Sequence, residues 1–553
     1  MSTTTEQHDS TDDTGTVVGH LDDLAVAAMK MIKVDGHRIC LVRTSDGIFA
    51  LDQACPHEGY GLTTGELDGN LITCAWHNWK FRVTDGACVL GEENVRTYPV
   101  DVADDGTLSV AFSLPDPSEL RPQLLTSLRR GIEKDYVGQV SRDIVRLLRA
   151  DANPGELIWE AVAYGAPRAE FGWGHAIASL TDCLGMVDQY ENDDRALPIV
   201  QAIAGVAETE RDRPVQALPD PVASMPPDGR GEFRRLVESE QLAPAQSLLR
   251  GALHTGATAE QLRGWFTDVV SDHLLSYGHG AIYVQKAFEL LDRIGWDRAD
   301  TVLAHLVPRL VYGTREDRLP YMKLFHRGLA QLDLGGLAEA AGEPNHRWSD
   351  DGRLVSALLG ADRTEAAIAT GAAFAGGASI DSVLDVIVSA VSERMLRYDP
   401  AGEFDFHDDF GWLDITHGLT YAHAARWLAA DQPVTPDLIR LVMWTAFLAN
   451  WTGRHEWHTG VGERAEVEPR SHDPLAYGRS LQHDALLDGT TAFIVHAHAV
   501  KMSVAATDEA IRLGSSLPLD ATARFISAPK LERFVAASVT RSIDFLSGRT
   551  QRD

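Results

Sequence analysis

Two short cysteine–histidine pairs constrain this chain more than any other feature: Cys55-Pro56-His57, then sixteen residues, then Cys74-Ala75-Trp76-His77. Two thiolates on one iron and two imidazoles on the other would hold an asymmetric [2Fe–2S] cluster. Replacing two anionic ligands by neutral ones raises its reduction potential above that of an all-cysteine cluster. A structural zinc site is the competing reading, but zinc spacing usually separates a cysteine pair from a histidine pair. Each half here carries one of each. The surroundings predict strands. Gly65 to Thr73 reads as a hairpin around Asp68-Gly69, Asp85-Gly86 marks a second turn, and residues such as Arg38 to Arg43 and Thr107 to Ala111 alternate apolar with polar. The expectation is a small all-β domain over residues 16–113, which handles electrons.

The stretch from Cys55 to Phe81, CPHEGYGLTTGELDGNLITCAWHNWKF, resembles soluble Rieske ferredoxins and the Rieske domains of aromatic-ring oxygenases. The resemblance implies cluster ligation by Cys55, His57, Cys74 and His77, and electrons supplied by an NAD(P)H-dependent ferredoxin reductase or a ferredoxin. Respiratory Rieske proteins carry an extra disulfide-forming cysteine in each cluster loop; Tyr60 stands in one of those places here and neither loop has the extra cysteine. Hydrogen bonding and exposure set the potential, so the lower part of the Rieske range is expected.

With 553 residues the chain has room for several large cores. A net charge of −30 with no basic run argues against nucleic acid or an anionic membrane as partner. Three further cysteines, Cys40, Cys88 and Cys183, are expected as buried thiols in a reducing compartment. No stretch reaches the length of a membrane span, so a cytoplasmic protein is expected. Residues 1–15 read as a disordered acidic tail. The proline- and acid-rich residues 114–122 read as a linker. Beyond it, residues 123–553 show helical spacing and predict a large all-α domain, so the fold class is multidomain, β then α. Glu208 to Arg230, rich in proline and charge, reads as a mobile excursion or lid.

The helical region carries an internal duplication with a period of about 138 residues, counted at its last matched segment. Arg235-Leu236-Val237 matches Arg353-Leu354-Val355, Gly256 to Leu262 matches Gly377 to Val383, and His279 to Ala287 matches His417 to Ala425. The last pair shares a His-Gly-x-x-Tyr helix start. Two more histidines have the same setting between small residues, His175 and His498. Small neighbours let helices approach and leave room around an imidazole, so four convergent histidines would make a metal site. Lys501 lies one turn after His498; an ammonium cannot ligate a cation, but carboxylation by CO2 would turn it into an anionic oxygen ligand. The alternative is that it snorkels to solvent.

The elements at His175, His279, His417 and His498 to Lys501, in that order, resemble the questin oxidase family. That resemblance implies an oxygenase of polycyclic aromatic polyketides, with iron held by His175, His279, His417, His498 and a carboxylated Lys501. The fused cluster domain departs from the usual members, which leaves their reaction open here.

Two other readings compete. Asp414-Ile415-Thr416-His417, with His423 following, resembles the iron motif of Rieske oxygenase large subunits, in which two histidines and a carboxylate form a facial triad. A non-catalytic electron carrier on a helical binding scaffold would hold the cluster and no other metal. The favoured reading is a Rieske-domain non-heme iron oxygenase. The [2Fe–2S] cluster passes electrons to a mononuclear Fe(2+), within one chain or across a homo-oligomer boundary, and the iron activates O2 to oxidise a small organic substrate, aromatic or polyketide-like. Trp173, Tyr277, Tyr283, Trp412, Tyr421 and Trp427 are candidates to line its pocket.

Overall fold

The computed structural model describes residues 15–91, 93–113, 116–404, 410–489, 492–530 and 535–548. Of the expected acidic tail all but Gly15 falls outside these, as do Leu114 and Pro115 of the expected linker. The chain divides into two units, residues 1–152 and 153–553.

The first unit is built on strand alternation. Its strands are β1 (Thr16–His20), β2 (Ala28–Val34), β3 (His37–Thr44), β4 (Gly47–Asp52), β5 (Glu66–Asp68), β6 (Leu71–Thr73), β7 (Lys80–Arg82), β8 (Cys88–Leu90), β9 (Thr97–Tyr98), β10 (Val100–Val102) and β11 (Thr107–Val110). They form three antiparallel sheets, ordered β1-β11-β10, β2-β3-β4-β9 and β5-β6-β7-β8. Successive side chains of a strand point to opposite faces, and β3 buries both. Cys40 and Val42 join the core that holds Cys55 and Cys74, while Ile39 and Leu41 join a second core with Tyr98 and Leu108. The cluster half is thereby bolted to the rest of the domain through one strand. In the predicted hairpin Asp68 pairs with Leu71, so the loop is Gly69-Asn70. Gly69 has φ 56°, a left-handed value that glycine adopts without a Cβ clash.

Two helices complete this unit, α1 (Pro117–Lys134) and α2 (Val137–Arg149). Of the segment expected as a linker over 114–122, residues 117–122 therefore begin a helix. Asp116 accepts the Ser118 N–H at 2.8 Å and Pro117 occupies the first helical position. The residues that end the strand pattern are those that favour a helix start. Leu128 and Ile132 of α1 are buried, as are Val140, Ile144 and Leu147 of α2.

The second unit is helical. Thr258 caps the helix Ala259–Asp272 and Ser379 caps Ile380–Arg397, so the two repeat-like segments begin alike. They then diverge, correcting one expectation: His279 opens the helix His279–Ile294, whereas His417 is the sixth residue of Trp412–Ala429. The Asp414 carboxylate accepts the Gly411 N–H at 2.9 Å and sets that earlier start. These two helices, with His175–Met186 and Phe493–Leu513, close a ring in which each packs against two others.

The expected lid is fastened down. Its first residues end the helix Ala196–Glu210, the Val222 N–H donates to the Ser247 carbonyl at 3.0 Å, the Ser247 hydroxyl donates to the Asp220 carbonyl at 2.5 Å, and Arg250 donates to the Pro219 carbonyl. No helix among the described residues is long and apolar enough to cross a membrane.

Candidate metal centres

The first centre sits on two tight loops of matching build. In one, the Cys55 N–H donates to the Tyr60 carbonyl at 2.7 Å and the Gly59 N–H to the Cys55 carbonyl at 2.8 Å; in the other, the Cys74 N–H donates to the Trp79 carbonyl at 2.7 Å. Both thiols are buried, and His57 and His77 meet edge to face with ring centroids 4.4 Å apart. None of the five cysteines is joined in a disulfide. Burial pushes the Cys55 thiol up to about 12, against hydrogen bonds from the His57 and Glu58 backbone that favour its thiolate. Burial thus keeps the Cys55 thiol protonated, and a bound metal would displace that proton. The donor set fits an asymmetric cluster.

Three neighbours were not legible beforehand. The donor atoms of His57, Glu58 and His77 lie within 4.8 Å of one another, which adds a carboxylate at the rim. Trp79 stacks on His57 at 4.7 Å. Arg142, on α2, donates to the carbonyls of both Pro56 and His57. Tyr60, in the place of a respiratory cysteine, stacks at 4.5 Å on Trp76 at the surface.

The second centre lies inside the ring of four helices. Going round it, ring centroids are 4.9 Å from His175 to His279, 4.4 Å to His417, 5.0 Å to His498 and 4.6 Å back to His175. The four histidines, chosen for their small neighbours, do converge. The glycines act as expected in three cases. A Cβ on Gly278, which also has φ 93°, would lie 2.9 Å from the Tyr421 ring, on Gly280 2.8 Å from Leu275, and on Gly418 2.8 Å from Val391. Gly174 faces open space.

Hydrogen bonds fix how the rings are turned. His279 Nδ1 lies 2.5 Å from the Ser276 carbonyl, His417 Nδ1 2.5 Å from the Leu413 carbonyl and His498 Nδ1 2.7 Å from the Ile494 carbonyl. A carbonyl only accepts, so each Nδ1 carries the hydrogen and each Nε2 a lone pair. The fourth ring meets the Tyr283 hydroxyl through Nδ1 at 3.1 Å. His417 and His279 then present Nε2 to Nε2 at 2.9 Å. That is the separation of adjacent donors placed at right angles on one ion with bonds of about 2.1 Å. His498 Nε2 and Lys501 Nζ are buried without a hydrogen-bond partner.

The electrostatics agree. Burial, reinforced by the Lys501 charge, pulls His279 down to about 3 and the other three well below their ordinary value. All four are neutral, as ligands must be. Burial also pulls Lys501 down to about 7 against the attraction of Asp182, and at 1% exposure it does not snorkel. These orphaned donors fit a metal ion.

The competing triad does not assemble. Asp414 is engaged by Arg454 at 2.9 Å as well as by the Gly411 N–H, and His423 Nδ1 pairs with Glu509 at 3.2 Å. His496 lies on the opposite side of its helix from His498, beside Phe493. Of the candidate aromatics, Tyr283 touches His175 and Tyr277 turns its edge to His417 at 5.5 Å, its hydroxyl held by Arg454 at 2.9 Å. Trp173 donates to the Val302 carbonyl at 3.1 Å, Trp412 and Tyr421 are core, and Trp427 lies under Arg263.

A family model described as the Rieske [2Fe–2S] domain matches residues 14–100. The ferredoxin component of the naphthalene 1,2-dioxygenase/salicylate 5-hydroxylase systems of a Ralstonia species is 32% identical over 84 residues, 15% of this chain and 81% of that protein. Cholesterol 7-desaturase from Hemicentrotus pulcherrimus is 36% identical over 69 residues, 12% of this chain and 15% of that enzyme. Among solved structures, the ferredoxin of carbazole 1,9a-dioxygenase from Nocardioides aromaticivorans IC177 is 29% identical, with a TM-score of 0.18, covering 18% of this chain and 99% of that one.

Proposed function

Because this chain belongs, through residues 14–100, to the Rieske [2Fe–2S] family, we propose that it is a two-module oxygenase. Cys55, His57, Cys74 and His77 hold its cluster, and His175, His279, His417, His498 and Lys501 hold a mononuclear iron. When bound, these groups supply single-electron transfer and dioxygen activation toward an organic, aromatic or polyketide-like substrate. The reading of the helical module as questin oxidase-like is part of the proposal.

The observation that carries it is the pair of lone pairs, His279 and His417 Nε2, that face each other at 2.9 Å in a buried site. Two acceptors so placed repel unless a proton or a metal cation lies between them. A proton would leave one imidazolium buried, which the surroundings oppose.

The residues of the chain act by holding and screening. The carbonyls of Ser276, Leu413 and Ile494 keep three Nε2 atoms pointed inward. Ser276, Tyr277 and Gly278 all have positive φ, a costly run that aims the Ser276 carbonyl at His279. Tyr283 and the Arg454-held Tyr277 wall two rings. Lys501, neutral in part near pH 7, can add CO2: an N–C bond forms, one proton leaves, and the resulting carbamate anion offsets the charge of a divalent ion among neutral imidazoles. Electrons would come from an NAD(P)H-dependent reductase or ferredoxin, and cysteines without a disulfide suit a reducing cytoplasm.

The test is His279→Ala in the full chain. The reading expects reductant-dependent oxygen uptake to fall at least a hundredfold while the cluster's electron-spin-resonance signal keeps its shape and intensity, an order-of-magnitude expectation for losing a ligand that orients catalysis. Unchanged uptake would overturn it.

A further inference from the structure

The loop carrying Cys55 and His57 is covered by a helix hairpin from its own unit. Tyr136, between α1 and α2, turns its edge to the His57 ring at 5.9 Å. A Cβ on Gly138 would sit 3.7 Å from Glu58 and 3.9 Å from the His57 carbonyl, so α2 rests directly on the loop. Arg142 then donates to the carbonyls of Pro56 and His57. In consequence His57 is half-buried, while His77 is exposed.

Arginine stays charged even when desolvated, and this one is half-buried. Its charge is only partly offset: Glu93 and Asp143 pair with the neighbouring Arg146, at 3.1 and 3.4 Å. Burial raises Asp143 to about 6, so its countercharge is incomplete near neutrality.

We propose that the α1–α2 hairpin is an electrostatic cap on the cluster, in which Arg142 places a fixed positive charge against the His57 loop and raises the reduction potential. Reduction adds one electron to the cluster from an outside donor, with no bond made or broken. The reduced state is the more negative, and a cation beside it in a poorly screened setting stabilises it over the oxidised state. Arg142 is a positioning residue that acts through the loop. The cap acts on the cluster alone, with or without the second metal.

The test is a one-electron mediator titration of the full chain, poised with dithionite and read by the cluster's electron-spin-resonance signal. Arg142→Gln is expected to lower the reduced-to-oxidised ratio at a fixed potential about tenfold, ~59 mV for one electron. Arg142→Lys keeps the charge and should stay within half of that shift. Glu93→Gln removes a countercharge without touching the loop and should move the potential up. A wild-type potential in Arg142→Gln, or a shift in Arg142→Lys as large as in Arg142→Gln, overturns the proposal. Should Arg142→Gln fail to assemble its cluster, Glu93→Gln decides alone: an upward shift supports the cap and an unchanged potential refutes it.

Discussion

His279 and His417 stand 138 residues apart in the chain yet face each other through Nε2 at 2.9 Å, with both Nδ1 hydrogens already committed to main-chain carbonyls. Such a contact is unfavourable without a cation, so metal should stabilise the helical unit. With free iron(II) at a hundred times its dissociation constant the gain is about 2.7 kcal/mol. Calorimetry should show the helical transition rising when iron(II) is added anaerobically. His417→Ala should melt at one temperature with or without iron; an equal rise in that variant would contradict the assignment.

Lys501 should separate stability from metal binding. Its amine is buried with no hydrogen-bond partner, and Lys501→Met replaces it by an apolar chain of similar length. The metal-free variant is expected to be more stable at pH 7 by about 1–3 kcal/mol, since a buried, partly charged amine is removed. Its iron affinity should fall roughly tenfold and no longer respond to bicarbonate. A variant that binds iron as tightly as the parent, with the same bicarbonate response, would remove Lys501 from the ligand set.

The proposed cluster ligands should fail independently of the proposed cage. Cys74→Ser is expected to abolish the cluster signal, because a hydroxyl is a poor substitute for a thiolate, and to leave one iron on the helical unit. Metal analysis and spin resonance on the same sample would check this. Loss of all iron would contradict the two-centre division.

Further along, the helices Trp412–Ala429 and Phe493–Leu513 carry an ionic layer that responds to acid. Glu509, held by His423 and Arg426, is lowered to about 2. Its stabilisation is present above the ordinary glutamate value near 4.5 and is lost as pH falls toward 2, on the order of 3 kcal/mol in all. His423 is raised, so its share is present below 6.5 and is lost as pH rises through its folded value. Glu509→Gln should flatten the stability profile between pH 4.5 and about 2. His423→Gln should lose stability on the acid side of neutrality while binding iron normally. Loss of iron from His423→Gln would revive the facial-triad reading.

Legibility in the sequence followed distance along the chain. Cys55, His57, Cys74 and His77 lie within 23 residues and two turns, so a cluster site can be proposed from their spacing alone. The cage histidines were readable because small neighbours flank each one, a local trace of helices packing closely at Gly278, Gly280 and Gly418. Asp414 misled for a physical reason. Its D-x-x-H pattern imitates an iron motif, but a carboxylate three residues inside a helix equally serves the helix start, and that is where it is used. Residues 114–122 misled likewise, since proline and aspartate end strands and begin helices alike. Arg142 left no local trace, because the carbonyls it reaches are 85 and 86 residues away.

The most direct measurement is iron and acid-labile sulfide on the purified, fully loaded full-length chain. An oxygenase built as proposed contains about three irons for two sulfides, two in the [2Fe–2S] cluster and one in the cage. Two irons for two sulfides, with no other metal bound, would leave an electron carrier on a helical scaffold and contradict the second centre.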